Sequence, residues 1–147
     1  MVKLLYLANA RMPTERAHGL QIAQMCEAFA RANCDVTLVV PKPLHSDKLK
    51  DRDPWQYYGI ERVFEIEKLW AINIVSFLPK LIRRAGRTLR TWTFYLSLFI
   101  WLLGQPSDAI IYSRDVYVHW WLRWLFPKRN RVYGSHTAQP LMVSARS

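Results

Sequence analysis

Two uninterrupted apolar runs, "VKLLYLA" at residues 2–8 and "DVTLVVP" at 35–41, bracket a segment whose apolar residues recur with a helical period. Few folds accommodate that. A strand covered on one face alternates apolar and polar residues. A run apolar throughout needs cover on both faces, as parallel strands have between two layers of helices. In the bracketed segment Ile22, Met25, Cys26, Phe29 and Ala32 share one helix face, and Gln21, Gln24, Glu27 and Arg31 take the other. Asn33 stands where the helix should stop. The three pieces make a β-α-β unit, whose crossover is expected to be right-handed.

The remaining pattern continues the alternation. Residues 42–62 are polar and turn-rich and read as an excursion. "VFEIEKL" (63–69) alternates and reads as a more exposed strand. Residues 79–103 read as one long helix or two, beginning at Pro79 and stopped by Gly104 and Pro106. "DAIIYS" (108–113) reads as a third buried strand, 115–126 as a very apolar helix ended by Pro127, and "RVYGSH" (131–136) as a last strand. Residues 138–147 form a tail that completes no element. The order predicts an α/β domain over 1–137: an open parallel sheet with helices on both faces. Ligands of such sheets bind beyond the carboxyl ends of the strands. Here those ends are Asn9 onward, Pro41 onward, Ser113-Arg114-Asp115 and Ser135-His136-Thr137.

A chain of 147 residues, 51% hydrophobic, sustains one domain with a core and is a poor candidate for disorder. The net charge of +10 is unevenly placed: residues 68–147 hold twelve Lys/Arg against Asp108 and Asp115, and the first part is balanced. That asymmetry implies an anionic partner for the second half. The two cysteines, Cys26 and Cys34, form no disulfide framework or zinc spacing, which fits a reducing compartment. Lys3 ahead of an apolar run and Ala8-Asn9-Ala10 imitate a signal peptide. The run is shorter than the roughly 7–15 residues such a segment needs, so it reads as a strand.

Several residues invite a chemical reading. Gly19, at the expected helix start, could let a phosphate approach the backbone amides and the positive end of the helix dipole, or could simply fit a tight turn. His136 could act as general base or hydrogen-bond donor at a strand's carboxyl end, or bond a backbone carbonyl. Arg114 and Asp115 read as a salt-linked loop pair or as substrate contacts, and His18 is a further candidate contact. Asp51-Arg52-Asp53 matches D-x-D but reads as a solvated turn. His18, His45 and His119 have no metal-ligand spacing, and His119 reads as packed in its aromatic helix. No metal site is expected. In "PKLIRRAGRTLRTWTFYLSLFIWLLG" (79–104), Arg83, Arg84, Arg87 and Arg90 precede an apolar run that starts at Trp92. The run of twelve residues, 92–103, falls short of the roughly 20 needed to span a bilayer. Basic residues beside a Trp/Phe/Leu face suit a helix lying in a membrane interface, with Arg83, Arg84, Arg87, Arg90 and Trp92 as contacts. The alternative is a core helix with solvated basic turns. Nucleic acid is not expected, because no binding motif accompanies the charge.

Taken together, "KLLYLANARMPTERAHGLQIAQMCEAFARANCDVTLVVP", "DAIIYSRD" and "VYGSHT" resemble the N-terminal domain of glycosyltransferase family 4 proteins. The resemblance covers most of 1–137 and is strongest over the first 41 residues. It implies one half of a GT-B fold: a Rossmann-like, acceptor-side domain facing a second domain that binds the nucleotide-sugar. It further implies a retaining glycosyl transfer without a metal or other cofactor, Gly19 near the donor diphosphate, and His136 at the reaction centre. A lipid-linked or saccharide acceptor is implied, with peripheral attachment to the cytoplasmic face of a membrane. Where the family often has Glu in "V-Y-E-x-H", this chain has Gly134. The family's donor-binding E-x7-E segment has no counterpart here. The expectation is therefore a fragment, truncated product or subunit of a split transferase, inactive alone. The rival expectation is a non-catalytic membrane-docking subunit that recruits a donor-binding partner.

Overall fold

The computed structural model describes residues 1–42, 48–49, 51–72 and 77–134. Along the chain run β1 (Val2–Leu7), α1 (Ala17–Arg31), β2 (Cys34–Pro41), α2 (Pro54–Tyr58) and β3 (Glu65–Leu69). A 3₁₀ turn (Lys80–Ile82) then leads into α3 (Arg83–Leu103), followed by β4 (Ile110–Ser113), α4 (Val116–Leu125) and β5 (Arg131–Tyr133). The strands form one five-stranded sheet in the order β3-β2-β1-β4-β5. Every pairing is parallel, with Leu4 opposite Val36 on one side and Ile110 on the other. This is the open α/β sheet, Rossmann-like in order, that the two apolar runs imply.

The runs are apolar throughout because each strand feeds two cores. In β1, Leu4 and Tyr6 belong to the core under α1, together with Ala8 just beyond the strand. Leu5 and Leu7 belong to the core under α3 and α4. In β2, Val36, Leu38 and Val40 face the first core and Val39 the second. Successive side chains of a strand point to opposite faces, so both faces must be apolar when both are covered.

Local chemistry places the helix ends. Asn33 takes the left-handed conformation (φ 68°) just past α1, and its amide donates to the Ala30 carbonyl. The short α2 falls inside the region expected to be an irregular excursion. Five residues are too few to display a helical period, but its punctuation is legible. Asp53 Oδ1 accepts from the Trp55 amide (3.2 Å), Pro54 follows at the first helical position, and Gly59 closes it at φ 64°. The D-x-D motif thus supplies a helix cap. Among the described residues no group of three potential metal ligands assembles.

The stretch from Pro79 is a 3₁₀ turn followed by one 21-residue helix. Phe94, Tyr95, Leu98 and Leu102 of α3 are buried on the sheet beside Val118 and Leu122 of α4. Leu96, Ile100 and Leu103, on the opposite side of α3, are exposed. No helix among the described residues is long and apolar enough to cross a membrane.

Candidate functional site

The connection after β1 leads to β2 on one side, and β4 lies on the other. The crossovers therefore diverge between β1 and β4, where the loops leave a crevice at the carboxyl edge. A cleft of about 420 Å³ occupies this point, lined by Tyr6, Asn9, His18, Arg114, Asp115 and Tyr117 among others. Two of the expected substrate contacts, His18 and Arg114, thus meet across it, although they are far apart in sequence.

Each side chain has a traceable position. Asn9 follows β1, and its Nδ2 donates to Thr91 Oγ1 of α3 (3.2 Å), which orients the amide. Arg114 follows β4 and its Nη1 donates to Gln21 Oε1 of α1 (2.9 Å), bridging the mouth of the cleft. Arg114 and Asp115 were expected to be salt-linked or to contact substrate, and in the structure they have separate tasks. Asp115 caps α4: its Oδ1 accepts from the Tyr117 amide (2.9 Å), and its Oδ2 accepts from the Tyr95 hydroxyl. Burial, reinforced by that bond, raises the Tyr95 phenol well above the ordinary tyrosine range.

Two buried polar atoms at the cleft lack a partner among the described residues: the Tyr6 hydroxyl and Arg114 Nε. Tyr6 is 1% exposed, and its phenol is raised by burial while the nearby Arg114 acts in the opposite direction. Buried donors and acceptors are nearly always satisfied, so an unpartnered hydroxyl beside a cleft is a place where a ligand's polar atom can repay the cost.

A smaller basic recess of about 120 Å³ adjoins the cleft, lined by Asn9, Arg11, Thr14, Arg16, His18 and Arg90 with Ala10. Arg11 and Arg16 were not singled out in the sequence, although both lie in the loop beyond β1 where ligand contacts are expected. Partial burial and then the charges of Arg16 and Arg11 lower the His18 pKa below its ordinary 6.5. The sign follows: the fold favours neutral His18 over charged His18. Its contribution to stability is present above pH 6.5 and falls away as pH drops through the depressed pKa. In a proton NMR titration His18 should titrate below 6.5, and Arg16→Gln should move it upward. A His18 that titrates at or above 6.5 in the unmodified chain would contradict this geometry.

Gly19 lies elsewhere than expected. α1 begins at Ala17, so Gly19 is inside the first turn, buried, with its amide donating to the Arg16 carbonyl (3.0 Å). The space a Cβ would need is occupied by the Thr14 methyl and the Tyr58 hydroxyl. Tyr58 in turn accepts from the Thr14 amide (2.7 Å) and donates to the Thr14 carbonyl (3.0 Å). This glycine is therefore explained by close packing of loop and α2 on α1. A phosphate approaching its amide would compete with an existing bond.

Gly134 has a similar basis. A side chain there would collide with the Tyr112 ring and crowd Arg114, so local packing favours glycine at this position. His119, expected to be packed, donates from Nε2 to the Ser113 carbonyl (3.1 Å) and meets Tyr133 edge-on. His45 and His136, and the tail from 138, lie outside the described residues. The expected membrane contacts also separate. Arg90 donates to the Lys42 carbonyl (3.0 Å), tying α3 to the end of β2, and Arg83 Nε donates to the Leu78 carbonyl (3.3 Å). Arg84, Arg87 and Trp92 line a groove next to the cleft.

No family model, no curated protein and no solved structure matches this chain.

Proposed function

We propose that this domain is the acceptor-side half of a GT-B glycosyltransferase, working at the cytoplasmic face of a membrane with a partner domain that binds the nucleotide-sugar. The observation that carries the reading is the switch-point cleft of about 420 Å³, lined together by Asn9, His18, Arg114 and Tyr6, whose buried hydroxyl has no partner among the described residues. Hydroxyl, amide, imidazole and guanidinium groups suit a ligand dense in hydroxyls with an anionic group. The cleft has no glycine-rich turn to wrap a dinucleotide, which favours placing the donor on the partner domain. Retaining transfer and a role for His136 rest on the family resemblance alone.

The test is titration of the chain with glucose, glucose 1-phosphate and UDP-glucose, followed by NMR and calorimetry. The sugar phosphate should perturb Asn9, His18 and Arg114, and UDP-glucose should bind no more tightly than it. Arg114→Ala should weaken sugar-phosphate binding by about 10–100-fold, the usual worth of a charge-assisted hydrogen bond. Tight binding of UDP-glucose, unaffected by that substitution, would instead indicate a self-contained nucleotide-binding domain.

A second reading, a docking subunit without catalysis, is favoured by one observation: Leu96, Ile100 and Leu103 of α3 and Trp120 and Trp124 of α4 are all more than half exposed. Reconstitution of sugar transfer with a donor-binding partner separates the two. Transfer lost on Arg114→Ala supports the first reading, and transfer indifferent to it supports the second.

A further inference from the structure

Arg114 is held at both ends. Its stem lies against Gly134, where an added Cβ would come 3.1 Å from the Arg114 Cγ. The Gly134 amide donates to the Ser113 carbonyl (3.0 Å), so the end of β5 brings this bare backbone to the base of the arginine. The tip is held from across the cleft. Arg114 Nη1 donates to Gln21 Oε1 (2.9 Å), a bond between residues 93 positions apart. Gln21 is exposed on α1. His18 before it and Ile22 after it both line the cleft, which places Gln21 at the rim.

A guanidinium carries five N–H donors in one plane. Its Nε and Nη2 lie side by side and match two oxygens of a phosphate or carboxylate, whereas Nη1 lies away from that edge. Gln21 therefore takes the atom that bidentate recognition does not need. On the opposite edge, Arg114 Nε is buried and has no hydrogen-bond partner among the described residues. The Tyr6 hydroxyl, also buried without such a partner, lines the same cleft. Unmade hydrogen bonds at buried donors are costly, and a ligand's oxygens would remove that cost.

The bond from Gln21 is exposed, so it adds little to the stability of the fold. Its effect falls on the arginine. A free arginine loses much rotamer freedom when a ligand fixes it, and one already fixed does not.

We infer that Gln21 is a positioning residue for Arg114: it holds the guanidinium by Nη1 and presents the Nε–Nη2 edge to an oxyanion in the cleft. The inference rests on the reading of the cleft as an acceptor site and deepens it, by naming what selects the ligand's anionic group.

The test is calorimetric titration of the full chain and its variants with glucose 1-phosphate, with urea denaturation of each protein alongside. Gln21→Ala, and Gln21→Met, which keeps the length but has no carbonyl, should each weaken binding by about 3–10-fold, the scale of ordering one long side chain. Their urea midpoints should match that of the unmodified chain. In an Arg114→Lys background the ammonium has no planar fork to orient, so Gln21→Met should cause no further loss. Unchanged affinity in both Gln21 variants, or a loss that persists in the lysine background, overturns the inference. Tighter binding in Gln21→Met also overturns it, because Gln21 would then be competing with the ligand for the guanidinium. A loss accompanied by a lower urea midpoint would make the role structural and overturn it too. Binding that needs Arg114 but not Gln21 sinks this inference alone, whereas an unmodified chain that binds no sugar phosphate sinks the acceptor reading and this inference with it.

Discussion

Leu98→Ala should destabilise the chain by about 2–5 kcal/mol, while Leu96→Ala, only two residues away, should change stability by no more than about 0.5 kcal/mol. Leu98 is fully buried in the core between the sheet, α3 and α4, and truncating it removes transfer free energy and leaves a cavity that its packed neighbours fill only partly. Leu96 is 58% exposed and has little burial to lose. Urea denaturation followed by circular dichroism reads both values. Comparable losses at the two positions would mean that α3 is rotated about its axis, and the exposed stripe of Leu96, Ile100 and Leu103 would not exist. The pair therefore tests the orientation of α3 on which the exposed stripe depends.

Gly19→Ala should cost about 1–3 kcal/mol, the usual penalty for forcing a methyl group into filled space. The new methyl would overlap the Thr14 methyl and the Tyr58 hydroxyl, and the hydroxyl cannot swing aside without breaking its two bonds to the Thr14 backbone. If this is why the position is glycine, Thr14→Ser, which deletes the obstructing methyl, should recover part of the loss. The double-mutant cycle should then show a coupling of about 0.5 kcal/mol or more. Thermal melts of the four proteins supply the cycle. Additive effects, or a stable Gly19→Ala protein that has lost only anion binding, would return this glycine to the role of phosphate contact.

Much of the fold was legible in the sequence because burial on both faces leaves an unambiguous trace. "VKLLYLA" and "DVTLVVP" could be recognised as central parallel strands, and Asn33 as a helix stop, from side-chain chemistry within a few residues. The α2 helix escaped because Pro54–Tyr58 is shorter than two helical turns. Its Asp-Pro start and Gly59 end were legible but appeared only as turn residues. At the cleft, the sequence named His18, Arg114 and the ends of β1 and β4, all of which line it. It did not show that these meet at one cleft, because nothing local states that β4 rather than β2 or β3 borders β1 on its other side.

The same division holds for individual residues. Sequence alone determined the α/β class, the parallel sheet and the concentration of positive charge in the second half. These follow from composition and period, which are properties of the chain before it folds. Only the tertiary structure decided what each special residue is for. Gly19 sits under a tyrosine hydroxyl contributed by a helix 39 positions on, counting from Gly19 to Tyr58. Asp115 is occupied as a cap, Arg90 ties α3 to the end of β2, and Arg84 and Arg87 line the groove beside the cleft. Those roles depend on which surfaces come within a few ångströms of one another, and that is set by the order of strands in the sheet and by how α3 packs on it.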